Sequence, residues 1–172
     1  IVCGWNEDEF RMFGQALREH DTRYAYGQEW LGIVEQIWNG ERPFDHEGEF
    51  FNLKAVTGSP KPFGGTRPLI MNAGASGAGR AFAIRNCDIL FTILVDLEKS
   101  AADLTTLKAE AKAKGRDGIE IFTSAYIVCR PGLQEAQDFH HRYAIEHADA
   151  EGVERVMMLQ GLNTQGRPAE LQ

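Results

Sequence analysis

The sequence predicts an α/β fold built on a parallel sheet, and three observations carry that reading. Apolar runs alternate with helical stretches in the order strand, helix, insertion, strand, helix, strand, helix, strand, helix. The strand runs, such as Cys87–Ile93 and Ile119–Cys129, are mostly apolar, and Cys87–Ile93 reads as a buried strand. A glycine-rich turn follows one strand and opens a helix, at Leu69–Ala83. Alternation of this kind implies parallel pairing with right-handed crossovers. Four strands are half of a (β/α)8 TIM barrel, and an open parallel sheet is the alternative.

Ile1-Val2-Cys3 reads as the second half of a strand, with Gly4-Trp5-Asn6 as the loop at its C-terminal end. A chain that begins inside a strand is expected to be a fragment, one partial barrel domain over 1–172 with the early strands and the last strand missing. Two parallel strand edges would then be open, so these residues alone are expected to associate or aggregate. Glu7 to Leu17 carries Phe10, Phe13, Ala16 and Leu17 at helical spacing, and Asn6 is its N-cap candidate ahead of acidic Glu7, Asp8 and Glu9. Asp21 is the N-cap candidate of a helix running through Trp38, whose stripe is Tyr26, Trp30, Ile33, Val34, Ile37 and Trp38.

Residues 39–68 hold four of the six prolines and only short apolar pieces, which marks an insertion. Phe44 to Phe51 suggests a small hairpin through a glycine turn, with extended chain through Pro60, Pro62 and Pro68. Such insertions at the active end of a barrel cover substrate, or form a surface excursion. Beyond the glycine turn come a helix over Ala78–Asn86, the strand Cys87–Ile93, a helix Ala101–Lys114 capped by Ser100 and Gly115, and the strand Ile119–Cys129. Arg130-Pro131-Gly132 breaks that strand. Leu133 to about Ala148 is helical, a further helical piece ends at Leu159, and the tail through Pro168 is polar.

With 43% hydrophobic and 25% charged residues among 172, the composition is that of an ordinary globular domain. A net charge of -7 excludes a surface built for nucleic acid, which needs clustered Lys and Arg. Cys3, Cys87 and Cys129 are odd in number and far apart, so neither a disulfide framework nor a metal site is expected, and a reducing, cytoplasmic setting fits. No apolar run approaches the ~20 residues of a membrane span, and no signal peptide is present, so no membrane partner is expected.

Gly74, Gly77 and Gly79 read G-x-x-G-x-G, which is neither a Rossmann fingerprint nor a Walker loop. A strand, a small-residue turn and a helix start gather backbone N–H groups at the positive end of a helix dipole, where a phosphate can bind, with the Ser76 hydroxyl as a further donor. A helix start made of small residues for close packing is the competing reading. His20, Asp21, Arg23 and Tyr24 lie at another helix start, where a tyrosine hydroxyl can reach an anion, whereas Asp21 and Arg23 read equally well as solvated surface charges. His20, His46, His140, His141 and His147 each read better as packed or solvated histidines than as a catalytic base, and no catalytic residue is named.

Together, Ile1-Val2-Cys3-Gly4-Trp5-Asn6, His20-Asp21-x-Arg23-Tyr24, Asn72-Ala73-Gly74-Ala75-Ser76-x-x-Gly79-Arg80-x-x-Ala83 and Cys87-Asp88-Ile89-Leu90-Phe91 make the chain similar to the bacterial-luciferase-like flavin monooxygenases. Alkanesulfonate, alkane, nitrilotriacetate and pyrimidine monooxygenases belong to that family. The resemblance implies FMN at the C-terminal mouth of a (β/α)8 barrel, its phosphate on Gly74-Ala75-Ser76 and the Tyr24 hydroxyl. It places Cys3 beside the isoalloxazine, where many members have threonine, and gives Cys3, Tyr24, Ala73, Gly74, Ala75 and Ser76 as the cofactor set. It further implies oxidation of a small organic substrate by reduced FMN and O2, an NAD(P)H-dependent flavin reductase as partner, and a homo-oligomer when full length. A deazaflavin-dependent hydride transferase of the same fold and a truncated, non-catalytic flavin binder are the alternatives, and oxygen uptake with reduced FMN separates them.

Overall fold

The computed structural model describes residues 1–74, 76–94 and 96–159. The chain forms two compact units, Ile1–Trp5 with Arg18–Ser124, and Asn6–Leu17 with Ala125–Gln172.

In the first unit, β3 (Met71–Asn72), β4 (Ile89–Phe91) and β5 (Glu120–Phe122) form a parallel sheet in that order. Met71 pairs with Ile89 and Asn72 with Leu90, while Ile89 to Phe91 pair with Glu120 to Phe122. Helices α3 (Gly77–Asn86) and α4 (Leu97–Ala113) make the crossovers, as the alternation predicts. The core is Leu31, Ile70, Phe82, Ala83, Ile84, Cys87, Leu90, Leu107, Ala111 and Ile119. Arg67 closes one side with a bidentate pair to Asp88, at 2.7 and 2.8 Å, while Asp88 also accepts the Ile70 N–H at 2.9 Å.

Ile1-Val2-Cys3 is not a strand. Its terminal ammonium donates to the Met71 carbonyl and the Asn72 side-chain amide donates to the Ile1 carbonyl at 3.0 Å, so two isolated bonds hold it beside β3 in place of a ladder. The last strand is shorter than expected, because β4 offers no partner past Thr92, whose N–H goes to Phe122. Beyond that point Tyr126 is 95% exposed.

Helix α2 (His20–Asn39) shows two apolar faces where the sequence suggested one stripe. Tyr24, Gly27, Leu31 and Trp38 face the core. Tyr26 instead packs on Phe50 and Phe51 of the insertion, with ring centroids 5.5 and 4.8 Å apart, while Trp30 stays 40% exposed. The insertion forms a hairpin, as expected, but a longer one than Phe44–Phe51: β1 (Phe44–Glu47) is antiparallel to β2 (Asn52–Val56), which lies beyond Phe51, and Gly48 N–H donates to the Phe51 carbonyl across the turn. Glu29 of α2 anchors it by accepting the Phe50 and Phe51 N–H groups at 3.0 and 2.9 Å and His46 Nε2 at 2.9 Å.

Three helix starts are corrected by their capping side chains. Glu19, not Asp21, caps α2, accepting from the Asp21 and Thr22 N–H groups, and Asp96, not Ser100, caps α4, accepting from Glu98 and Lys99. Helix α3 begins one residue early, at Gly77, with Ser76 as its cap. Gly115, at φ +71°, terminates α4 as predicted.

The second unit holds α1 (Glu7–Met12), capped by Asn6 as expected and stopped before Leu17 by Gly14 at φ +68°. It also holds α5 (Leu133–His141), which continues as a π turn over Arg142–Glu146, and α6 (Ala150–Leu159). The tail after Leu159, with its polar stretch through Pro168, lies outside the described residues.

Candidate flavin phosphate site

The site begins at Asn72, the last residue of β3, whose side chain is 2% exposed. A buried amide must satisfy both of its ends. Its Nδ2 donates to the Ile1 carbonyl and its Oδ1 accepts the Gly74 N–H at 2.8 Å, so one side chain ties the N-terminal segment to the turn. Ser76 then ends the turn as N-cap of α3, its hydroxyl oxygen accepting the Gly79 N–H at 3.1 Å.

Backbone crosses backbone very closely here. A Cβ on Gly79 would stand 2.7 Å from Gly74 Cα and 2.6 Å from the Tyr24 hydroxyl oxygen, and a Cβ on Gly74 would stand 2.6 Å from Gly79 Cα. Gly74 and Gly79 are therefore glycine because the turn is folded against the helix, and neither has a positive φ. Tyr24 comes from the first turn of α2, with its ring 5.9 Å from Phe82 and 5.3 Å from His20, centroid to centroid. This packing aims its hydroxyl at the first turn of α3.

A cavity of about 220 Å³ opens between these elements, lined by Val2, Cys3, Gly4, Trp5, His20, Arg23, Tyr24, Asn72, Ala73, Gly74 and Ser76. Among the described residues its wall carries no carboxylate and two basic side chains, Arg23 and His20. Arg23 Nη1 donates to the Arg18 carbonyl, whereas its Nε is buried and has no acceptor among the described residues. His20 Nδ1 is 2.7 Å from Asp21 Oδ1, which fixes the ring's orientation. The first-turn N–H groups of Gly77 and Ala78 have no carbonyl behind them within the helix, and the dipole adds positive potential at the same end.

Cys3, Tyr24, Ala73, Gly74 and Ser76 are thus brought to one cavity, and Ala75 lies outside the described residues. Gly74 acts through its missing side chain, since Asn72 already takes its N–H. Burial pushes the Cys3 thiol above its ordinary value, against the terminal ammonium and Arg23, which pull it down. Its sulfur packs toward Gly27, where a Cβ would lie 2.9 Å from it. Sequence reasoning left Arg23 balanced between a site role and a solvated charge, read His20 as packed or solvated, and gave Asn72 no separate role. His20 was within reach, because it precedes Tyr24 by one helical turn and so shares its face. His46 is bound to Glu29, away from this cavity.

The chain is similar to known proteins over most of its length. The luciferase-like monooxygenase family matches residues 1–170. The FMNH(2)-dependent dimethylsulfone monooxygenase of Pseudomonas putida is 32% identical over 137 residues, covering 80% of this chain and 37% of that protein. The dibenzothiophene-sulfone monooxygenase of Rhodococcus erythropolis is 31% identical over 159 residues, covering 80% of this chain and 34% of its own. Among solved structures, a riboflavin lyase bound to modified FMN and riboflavin superposes with a TM-score of 0.73 at 25% identity, over 79% of this chain and 35% of that one. The chain spans just over a third of the length of these relatives. Its parallel strands and crossover helices are part of a (β/α)8 TIM barrel. By the extent of the match and the identity to these relatives, the chain belongs to the luciferase-like monooxygenase family.

Proposed function

We propose that the protein is a flavin-dependent monooxygenase that uses reduced FMN and O2 to oxidise a small organic substrate. The observation that carries this reading is the cavity where Tyr24 and Ser76, the N-cap of α3, meet with no carboxylate lining it among the described residues. These residues fit the phosphate end of FMN. The Ser76 hydroxyl accepts the Gly79 N–H and still has its own hydrogen to donate, and Tyr24 presents an O–H beside it. Gly77 and Ala78 supply backbone donors at a helix N-terminus. The close approach of Gly74 to Gly79 fixes that turn, so the donors are already in place when the ligand arrives.

Bound FMN supplies the redox and oxygen chemistry, and this part of the chain contributes affinity and orientation. Anchoring the phosphate sets how far the ring system extends from α3 toward Cys3 and the Val2–Trp5 segment on the same cavity wall. The relatives named as FMNH(2)-dependent support FMN over a deazaflavin. A nitrilotriacetate monooxygenase relative carries the name component A, which supports a separate NAD(P)H-dependent flavin reductase as partner. A cytoplasmic homo-oligomer acting on a small organic molecule completes the proposal.

The test is flavin fluorescence titration of the full-length protein with Tyr24→Phe, Ser76→Ala and the double variant, together with oxygen uptake on reduced FMN. A charge-assisted hydrogen bond contributes about 1.5–3 kcal/mol, so each single change is expected to weaken FMN binding about tenfold or more, and the double more than either. Unchanged affinity in the double variant refutes the phosphate assignment. Absence of substrate-linked oxygen uptake by the flavin-loaded enzyme refutes the monooxygenase reading.

A further inference from the structure

We infer that Gly27 is a positioning residue of this cavity: the gap it leaves in α2 seats the Cys3 thiol, and that seat holds the Val2–Trp5 wall back from the space a ligand takes. The inference rests on the FMN reading above for the identity of the ligand, and it concerns this wall rather than the phosphate end.

Gly27 is buried inside α2, where glycine costs helix stability relative to alanine. Its backbone is helical, so conformation does not call for glycine there. A Cβ on Gly27 would stand 2.9 Å from Cys3 Sγ and 3.7 Å from Phe82 Cε2. Well-seated heavy atoms lie about 3.5–4.0 Å apart, so the second distance is an ordinary contact and the first is not. Among the described residues, Cys3 is therefore what forbids a side chain at this position. Gly32, in the same helix, is the contrast, since nothing lies within 4 Å of a Cβ there.

The segment is fixed on either side of the thiol. Asn72 Nδ2 donates to the Ile1 carbonyl at 3.0 Å, and Gly4, at φ +82°, turns the chain immediately after Cys3. Cysteine has a single side-chain rotor, so a thiol denied its seat leaves by turning about Cα–Cβ or by carrying the backbone with it. Cys3 lines the cavity together with Val2, Gly4 and Trp5, and either movement alters the space they enclose. Burial in the seat also raises the thiol above its ordinary value, which keeps it protonated and a poor nucleophile. The competing role for Gly27 is close packing of α2 on Phe82 of α3, and in that case the size of residue 3 is irrelevant.

The experiment compares the full-length wild type with Gly27→Ala, Cys3→Ala, the double variant and Gly32→Ala. Flavin-free protein is alkylated with iodoacetamide at pH 8 and mapped by mass, with exposed Cys129 as the internal reference. Denaturant midpoints and FMN dissociation constants are measured alongside. In Gly27→Ala, labelling of Cys3 relative to Cys129 should rise about fivefold or more, the midpoint should fall, and FMN should bind about tenfold more weakly. The double variant should regain the wild-type midpoint and most of the FMN affinity, because the new methyl group occupies the space the thiol has left. Gly32→Ala should raise the midpoint. Failure of Gly27→Ala to fold while the double variant folds supports the seat equally. A Gly27→Ala protein with a raised midpoint and unchanged Cys3 labelling overturns the inference. So does a double variant as impaired as Gly27→Ala, or as unable to fold, which assigns the glycine to Phe82. Faster labelling with unchanged FMN affinity leaves the thiol seated but overturns the positioning role. Wild type that binds no FMN overturns the FMN reading, while the labelling ratio and the midpoint rescue, which need no flavin, still decide the seat.

Discussion

Gly79→Ala gives the most direct test of the crossing between the turn and α3. In an ordinary helix this substitution is favourable by about 1 kcal/mol, because alanine restricts the unfolded chain and suits the helix. At Gly79 the added carbon would meet Gly74 Cα at 2.7 Å, Gly74 C at 3.0 Å and the Tyr24 hydroxyl at 2.6 Å. Optimal carbon contacts are about 3.5–4.0 Å, so two of the three neighbours are backbone atoms closer than the optimum by roughly half an ångström or more. Tyr24 can swing aside, but the Gly74 backbone is held by the Asn72 side chain and cannot yield without breaking that buried bond. Overpacking costs about 1–3 kcal/mol, and with contacts this short against fixed backbone it should outweigh the propensity gain and leave a net loss of up to about 2 kcal/mol. Gly77→Ala is the matched control, since nothing lies within 4 Å of its added carbon. Chemical denaturation of both full-length variants, with FMN titration beside it, reads the contrast. Gly79→Ala should be less stable than wild type and bind FMN more weakly, while Gly77→Ala should be neutral or stabilising. A Gly79→Ala protein that is more stable and binds FMN normally would refute the close approach.

The remaining predictions concern the frame around the site. Burial raises the Asp88 carboxyl, but the Arg67 pair and the Ile70 N–H outweigh it and hold the group below its ordinary range. Its contribution is then complete above the unfolded value and lost as pH falls through the folded one. Denaturant midpoints should therefore decline steadily below about pH 4, and Asp88→Asn should flatten that decline. Glu29→Gln should speed amide hydrogen exchange at Phe50 and Phe51, because an amide cannot accept from both N–H groups and His46 as the carboxylate does, and unchanged protection would remove Glu29 as the hairpin anchor. Alkylation at pH 8 followed by mass mapping should label exposed Cys129 first and leave Cys87 untouched in the native protein. Cys87 is buried, and that burial pushes its thiol up to about 11; early labelling of Cys87 would contradict this.

The parts of the fold that were legible in the sequence are those set by local chemistry. Gly115 ends α4 because only a residue without Cβ takes φ +71° freely, and Asn6 caps α1 because its side chain reaches the Asp8 N–H two residues on. The hairpin followed from a glycine between two short apolar pieces. Less legible were choices between equivalent local signals. Glu19 and Asp21 both precede an apolar helix, as do Asp96 and Ser100, and the winner depends on where packing against the sheet starts the helix. The single stripe assigned to α2 merged two surfaces, because Leu31 faces the core while Tyr26 faces an insertion that contacts it only through the tertiary fold.

The site divides along the same line. Gly74 and Ser76 are visible because strand, small residues and helix occur in sequence, yet their roles differ from what the motif suggests. Gly74 looks like an amide donor, but Asn72 consumes that N–H, and Ser76 consumes the Gly79 N–H through its cap. The first-turn amides of Gly77 and Ala78 are left without a side-chain acceptor among the described residues, a remainder that emerges only once each acceptor has been matched to its donor. Arg23 is hidden for a related reason. On a helix start it is indistinguishable from a solvated surface charge, and only the fold shows its Nε buried without an acceptor among the described residues. Missing partners are a property of the folded neighbourhood. The turn is therefore described better by which of its amides are already matched than by the glycine spacing that first drew attention to it.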